Sequence, residues 1–330
     1  MAMGFQSRRL TPLTMAPHYS GSSLAVLVPT KDRPAKIREL LDSLLAQTES
    51  CGRILVIDGG ESINDVVMAY ADRLPVEHHV CRPPGQIRQR NLGISLLDDR
   101  SPLVACLDDD IVLEPQAVAA MIAFWNRCEP ETAGVSFNIV NTPPEPDTSL
   151  RRLFGLAGPQ PGRVLKSGAT TSNCQAKTSY RAEWLCGGAT VWRSEILRNH
   201  RHREIPSRWA INEDVVFSYP LGRRFLLYVC ADARVAHLHV FDYRAESPDR
   251  FHGYTQTLYM LHFVELNPEL SRARFTWMIM GTALGRFIVG VFRHERRHTE
   301  FARGQLIAFW RGWRTLAAGR DLADLIARDA

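Results

Sequence analysis

The chain opens its regular patterning with a short apolar run, Leu24–Val28, rich in Val and ended by Pro29, which predicts a buried strand. Pro34 then begins a helical pattern in which Ile37, Leu40, Leu41, Leu44 and Leu45 share one face. The alternation continues. Strands are expected at Arg53–Ile57, Val76–Val80 and Leu103–Leu107, and helices at Ile63–Leu74, Gln86–Leu97 and from Glu114-Pro115 through Trp125. Strands alternating with helices imply a parallel sheet with right-handed crossovers, whose ligands sit beyond the C-terminal strand ends. Three polar segments fall at such ends: Pro29–Arg33, Asp58-Gly59-Gly60 and Asp108–Asp110.

The pattern loosens near residue 140. Asn141–Pro161 is rich in Pro and Gly and reads as a loop or lid. Asn212–Leu221 looks helical, with Asn212 as the N-cap and Glu213 and Asp214 in the first turn. Phe225–Val229 and Arg234–Val240 read as two strands. From about Tyr243 the chain is helical, aromatic and Arg-rich.

Composition alters this picture little. The 330 residues are 45% hydrophobic and 23% charged, as in ordinary globular proteins. The seven Cys show no metal-finger spacing, so reduced thiols are expected. The first 22 residues hold Arg8 and Arg9 without a continuous apolar stretch, which predicts a loose tail, no secretory signal and a cytoplasmic protein. Position matters more for charge. The net +5 is too weak to suggest nucleic acid, but Arg272–Arg320 carries ten Arg against two acids, Glu295 and Glu300. Phe275–Phe292 is apolar apart from Arg286. A mid-span Arg costs about 2.5–3.5 kcal/mol, so docking at an anionic membrane surface is expected rather than crossing. In Phe301–Leu316, Leu306, Phe309, Trp310, Trp313 and Leu316 lie near one face framed by Arg303, Arg311 and Arg314, which extends the expected lipid-facing surface.

The sharpest chemistry lies at Asp108-Asp109-Asp110. Adjacent carboxylates repel, and a hard divalent cation, Mg²⁺ or Mn²⁺, is the usual relief. His237 and His239 share one side of their strand, as metal ligands could. Glu213-Asp214 offers a general base, and Arg88 and Arg90 suit pyrophosphate or carboxylate recognition. Neither GxxxxGK[ST], GxGxxG nor GxSxG occurs.

Taken in order, these segments resemble the family 2 glycosyltransferases, which have the GT-A fold: a Rossmann-like, mostly parallel α/β sheet flanked by helices. Ala25–Pro34 is similar to the family's first strand and nucleotide loop, implying roles for Pro29, Thr30, Asp32 and Arg33. Val56–Gly60 resembles the strand whose Asp, here Asp58, contacts the base. Arg90–Ile94 resembles the RN-x-G element, and Leu107–Asp110 with Pro115 the DxD motif. On that likeness Asp108 and Asp109 serve the donor, with Asp108 toward the ribose, and Asp110 serves the metal. Cys186–Arg193 resembles the acceptor-side loop of Gly187 and Gly188, near Trp184, Trp192 and Trp209. Asn212–Val215 resembles the ED element, with Asp214 the base beside Glu213. Ala233–His237 resembles the strand whose His completes the metal site, with His239 the second choice. The sequence departs from many relatives at Lys31-Asp32 and Asn212, and it lacks the QxxRW of processive members.

The resemblance implies an inverting, metal-dependent transferase that moves one sugar per encounter from a nucleoside-diphosphate donor, UDP by family default, to a glycan or lipid-linked glycan. It would work peripherally at the inner membrane face, in cell-envelope polysaccharide synthesis. The division expected is a tail over 1–22, a catalytic domain over 23–242 (donor half 23–140, acceptor half 141–242) and an amphipathic extension over 243–330. A nucleotidyltransferase would need an early Gly-rich, Lys-containing loop, which is missing. A catalytically silent scaffold on the same fold would have no use for Asp108, Asp110 and Asp214 together.

Overall fold

The computed structural model describes residues 18–143, 145–205, 211–238 and 249–329. His239 and Trp209 lie outside them. The first half follows the expected alternation. Strands β1 (Leu24–Thr30), β2 (Arg53–Asp58), β3 (Val76–Val80) and β4 (Leu103–Leu107) pair in parallel in the order β3-β2-β1-β4. β1 and β4 are buried along their whole length. Their side chains are covered on both faces, which is why they read as unbroken apolar runs. Helix α1 (Pro34–Leu45) begins on its Pro and buries Ile37, Leu40, Leu41 and Leu44.

Helix α2 (Asn64–Met68) is shorter than expected. Tight turns carry the chain to Leu74, and Pro75 forces the residue before it out of helical geometry. Helix α3 (Gln86–Ser95) packs closely on β1, because a Cβ on Gly93 would strike Leu27. Helix α4 (Ala117–Trp125) starts three residues later than expected. The chain before it is held as strand β5 (Ile111–Leu113), which pairs antiparallel with a late strand.

Beyond β4 the sheet becomes mixed. β6 (Thr132–Ile139) was not expected from the sequence. It is fully buried, but Thr132, Ser136 and Asn138 interrupt its apolar run. A short helix α5 (Ser149–Leu153) interrupts the expected loop, and strands β7 (Tyr180–Ala182) and β8 (Ala189–Arg193) follow. Helices α6 (Ser194–Asn199) and α7 (Glu213–Gly222) lead into β9 (Leu226–His237), one twelve-residue strand where two were expected. β9 runs parallel to β6 and antiparallel to β5 and β7, and β8 runs antiparallel to both β4 and β6.

The C-terminal region is helical: α8 (Asp249–Leu266), α9 (Arg272–Phe292), α10 (Arg296–Ala317) and α11 (Leu322–Asp329). One apolar cluster joins Leu258, Phe263, Phe275, Met278 and Ile326 of these helices to Ala169, Val215 and Tyr219. The helices are thus packed on the half of the fold that carries α7.

Candidate active site

The register delivers the acidic groups to one edge. Thr30 pairs with Asp58 at the ends of β1 and β2, and β4 leads straight into Asp108. His237, at the end of β9, lies opposite Ile111, and the Leu238 N–H donates to the Asp110 carbonyl at 2.8 Å. Two segments far apart in sequence thereby bring Asp108, Asp110 and His237 together, with one ligand atom from each within 4.8 Å of the others.

Their electrostatics are arranged around two arginines. Arg33 donates to Asp109 Oδ1 at 2.5 Å and to Asp110 Oδ2 at 2.9 Å. Burial disfavours the Asp110 charge, yet His237, 3.0 Å from its other oxygen, and Arg33 hold it well below the usual carboxylate range. The same pairing outweighs burial at His237 and raises it. Asp109 accepts from Thr30 Oγ1 at 2.7 Å, and burial pushes it up to about 6 against that bond and Arg33. Burial likewise raises Asp108, against the pull of Arg90.

Arg90, from α3, is buried and bridges the two acidic motifs. It donates to Glu213 Oε1 at 2.5 Å and to Asp108 Oδ1 at 3.3 Å. Its charge overrides burial and holds Glu213 down at about 2. Asp214 differs. Burial first, then the neighbouring Glu213 charge, push it up to about 7. Two adjacent carboxylates with proton affinities driven apart are a recurring arrangement at sites of acid–base chemistry.

Asn212, expected as an N-cap, makes no capping bond. It adopts a left-handed backbone with φ 56°, which Asn tolerates, and this aims Glu213 and Asp214 into the site. Gly187 and Gly188 make room for them. A Cβ on Gly187 would lie 2.7 Å from Glu213 Oε1, and one on Gly188 would run into Asp108 Oδ2.

The remaining expected residues are placed as follows. Pro29 is inside buried β1. Asp32 Oδ1 accepts from the Glu61 N–H at 2.7 Å, joining the first two loops. Asp58 is fully buried, accepts from the Gly60 N–H at 2.8 Å and lies 3.2 Å from His78 Nε2. Trp184 packs against the helical cluster and donates to the Thr171 carbonyl at 3.2 Å. Trp192 is buried against Phe217 and serves the core.

Sequence reasoning missed His202 and Gln89, and gave Asn91 no role beyond its place in the RN-x-G element. His202 Nδ1 lies 3.4 Å from Glu213 Oε2 and its ring stacks on Phe217. Asn91 fixes the His202 backbone by bonding both its N–H and its carbonyl. Gln89 donates to the Thr30 and Ile57 carbonyls, each at 2.7 Å, tying the two donor-side loops. Asn91 and Gln89 flank Arg90, and the RN-x-G likeness already pointed to Asn91.

Two carboxylates and one imidazole form a mixed O/N donor set, which suits Mn²⁺ and accommodates Mg²⁺. The paired negative charge is only partly offset by Arg33 and Arg90, so the residues fit a divalent cation.

Residues 25–188 match the family described as glycosyl transferase family 2. The match stops at Gly188, and Glu213, Asp214 and His237 lie beyond it. No curated protein matches the sequence. Among solved structures, TarS residues 1–349 from S. aureus, in complex with UDP, superposes with a TM-score of 0.51 at 17% identity, covering 80% of this chain and 71% of that one. The mannosyltransferase PcManGT from Pyrobaculum calidifontis, in complex with GDP-Man and Mn²⁺, gives 0.52 at 14% identity, covering 95% and 88%. At such identities the likeness speaks for the fold, a GT-A fold in which the acidic edge just described lies at the C-terminal ends of the parallel strands. With the fold, the order of the motifs and the sequence match in agreement, residues 25–188 form a glycosyl transferase family 2 segment and the chain is a glycosyltransferase.

Proposed function

We propose that this enzyme transfers one sugar from a nucleoside-diphosphate sugar to a hydroxyl of a lipid-linked glycan, inverting the anomeric centre, with Asp214 as general base. The observation that carries the reading is Asp214 itself, pushed up to about 7 beside Gly187 and one residue from the Arg90-bound Glu213. A base of that affinity accepts a proton near neutral pH and has driving force to take it from a hydroxyl made acidic by attack. Pro29, Thr30, Asp32, Arg33, Asp58 and Arg90 shape the donor side, and Gly187 and Gly188 open the acceptor side. The bound nucleotides of the two solved neighbours support a nucleotide-sugar donor, with a UDP-sugar the first to test.

Asp108, Asp110 and His237 would hold a divalent cation. When bound there, it supplies positive charge to the departing diphosphate. Arg90 keeps Glu213 ionised. Burial, reinforced by the fixed Glu213 charge, keeps Asp214 protonated until pH nears neutrality. The acceptor oxygen then attacks opposite the leaving group as Asp214 takes its proton. We place this work peripherally at the inner face of a membrane, in cell-envelope polysaccharide synthesis.

The test uses purified enzyme, Mn²⁺ or Mg²⁺, a panel of nucleotide sugars and a lipid-linked acceptor. Asp214→Asn should lower kcat by about 10²–10⁴-fold with donor affinity unchanged. Wild-type turnover in that variant would overturn the base assignment. EDTA should abolish transfer and Mn²⁺ restore it. Activity that survives EDTA would overturn the metal assignment.

A further inference from the structure

Helix α9 is apolar on two opposite faces. Phe275, Met278, Ile279 and Ala283 turn inward and are buried. Trp277, Met280, Leu284, Phe287, Ile288 and Val291 recur at helical spacing on the other side and are 45–58% exposed. A helix that meets water on its outer side ordinarily carries polar residues there. A contiguous apolar stripe of this length marks an interaction surface.

Arg286, the one charge within the stripe's span, does not interrupt it. Its guanidinium lies 3.7 Å from the centre of the Phe301 ring on α10, so it points inward. The charges collect at the two ends instead. Arg274, Arg293 and Arg296 are exposed, and among the described residues they form no ion pair. The short helix α5 extends the surface. Leu150 and Leu153 are 65% and 63% exposed. α5 is fastened to α9 by stacking of Phe154 on Trp277, with ring centres 5.1 Å apart, and by the Trp277 Nε1–H bond to the Leu153 carbonyl at 2.9 Å.

The arrangement selects among occupants. α9 is long and apolar enough to cross a membrane, with a mean hydropathy of 1.5. Its inner face, however, belongs to the same core as Val215 and Tyr219, so crossing would pull that core apart. A second copy of the chain would bring one Arg-ended stripe against another, with like charges adjoining in either orientation. An anionic bilayer receives the apolar stripe among its acyl chains and the terminal arginines among its headgroups.

We propose that the outer face of α9, together with Leu150 and Leu153, lies in the plane of an anionic bilayer surface. Asn141 exchanges hydrogen bonds with the His237 backbone, at 2.8 and 2.9 Å, so the chain passes from the candidate metal cluster at Asn141 to the lipid at α5 within a few residues. The proposal deepens the reading of a lipid-linked acceptor and rests on that reading only for the route the acceptor takes.

The test is co-sedimentation of the full chain with vesicles of phosphatidylglycerol and phosphatidylcholine, without nucleotide sugar. We expect wild-type protein to bind these vesicles and to release as salt rises. Phe287→Ser/Val291→Ser and, separately, Leu150→Ser/Leu153→Ser should each weaken binding by about tenfold or more. All four side chains are exposed, so thermal unfolding should be unchanged and would confirm intact folding. Equal binding by the variants, or wild-type protein that stays in the supernatant, overturns the proposal. A wild-type dimer in sedimentation velocity that either double variant dissolves into monomers overturns it in favour of a second copy. Because no sugar is transferred, these results stand apart from any failure of the glycosyl-transfer reading.

Discussion

At the scale of single residues, the site depends on Arg90 and Asp214. Arg90 is buried with two carboxylates, Glu213 and Asp108, on its guanidinium. Removing one partner of such a buried group leaves charge uncompensated. Arg90→Met should therefore destabilise the fold by about 3–5 kcal/mol, read as a lower urea midpoint. For Asp214 the sign follows from its raised proton affinity, about 7 against 3.8 unfolded. The folded state keeps the proton that the unfolded chain releases, so this group's contribution to stability is lost as pH rises through that window. The Tm of Asp214→Asn minus that of wild type should therefore widen from pH 4 to pH 8. The acid limb of kcat/KM near pH 7 should vanish in the same variant. Gly188 supplies a steric test. Gly188→Ala should abolish transfer by displacing Asp108, whereas Gly85→Ala, whose nearest new neighbour is 3.6 Å away, should be tolerated.

At the scale of elements, strand polarity and loop closure set the chemistry. The parallel order β3-β2-β1-β4 puts Thr30, Asp58 and Asp108 on one edge. The antiparallel pairing of β5 with β9 returns His237 to the same place from more than a hundred residues away. β1, β2 and β4 were legible because both of their faces are buried, and Pro34 marked its helix by removing an unneeded donor. β6 was not legible, since the partners that satisfy the buried Ser136 and Asn138 side chains exist only in the fold. Asn138, for example, donates to the carbonyls of Ala176 and Ala231. The boundary of α4 moved for the same kind of reason: the β5–β9 pairing, continued by the Glu114 N–H bond to the Arg234 carbonyl, holds chain that periodicity alone would leave helical. The exposed apolar face of the C-terminal helices is also narrower than the one expected over Phe275–Phe292 and Phe301–Leu316. In α10, Phe309 and Leu316 pack into the core, while Leu306 and Trp310 stay exposed. The uninterrupted outer stripe belongs to α9.

For the whole molecule, the C-terminal helices share a core with the acceptor side of the sheet. A chain cut near residue 270 would lose Phe275, Met278, Ile279, Ala308, Leu322, Leu325 and Ile326 from that core. At about 1.5–3 kcal/mol for each large side chain, the loss rivals the whole stability of a typical domain. We expect the truncated chain to be insoluble or to unfold without a cooperative transition, as calorimetry would show. Mn²⁺ should raise the Tm of the intact protein by mass action, and Asp110→Asn should remove that shift.

What the sequence determined by itself is whatever depends on local order. This includes the α/β alternation, the polar strand ends, the Asp108–Asp110 and Glu213-Asp214 pairs, and an Arg-rich C-terminus. These are contiguous patterns, written by backbone periodicity and by the chemistry of adjacent side chains. Only the tertiary structure decided how they meet. It put Arg90 between Asp108 and Glu213, His202 on the far oxygen of Glu213, and His237 against Asp110. It also turned Arg286 inward, leaving the outer side of α9 apolar from Trp277 to Val291. The physical reason is common to all four. Burial and Coulomb energy depend on distances between residues remote in sequence, and those distances exist only once the sheet has closed.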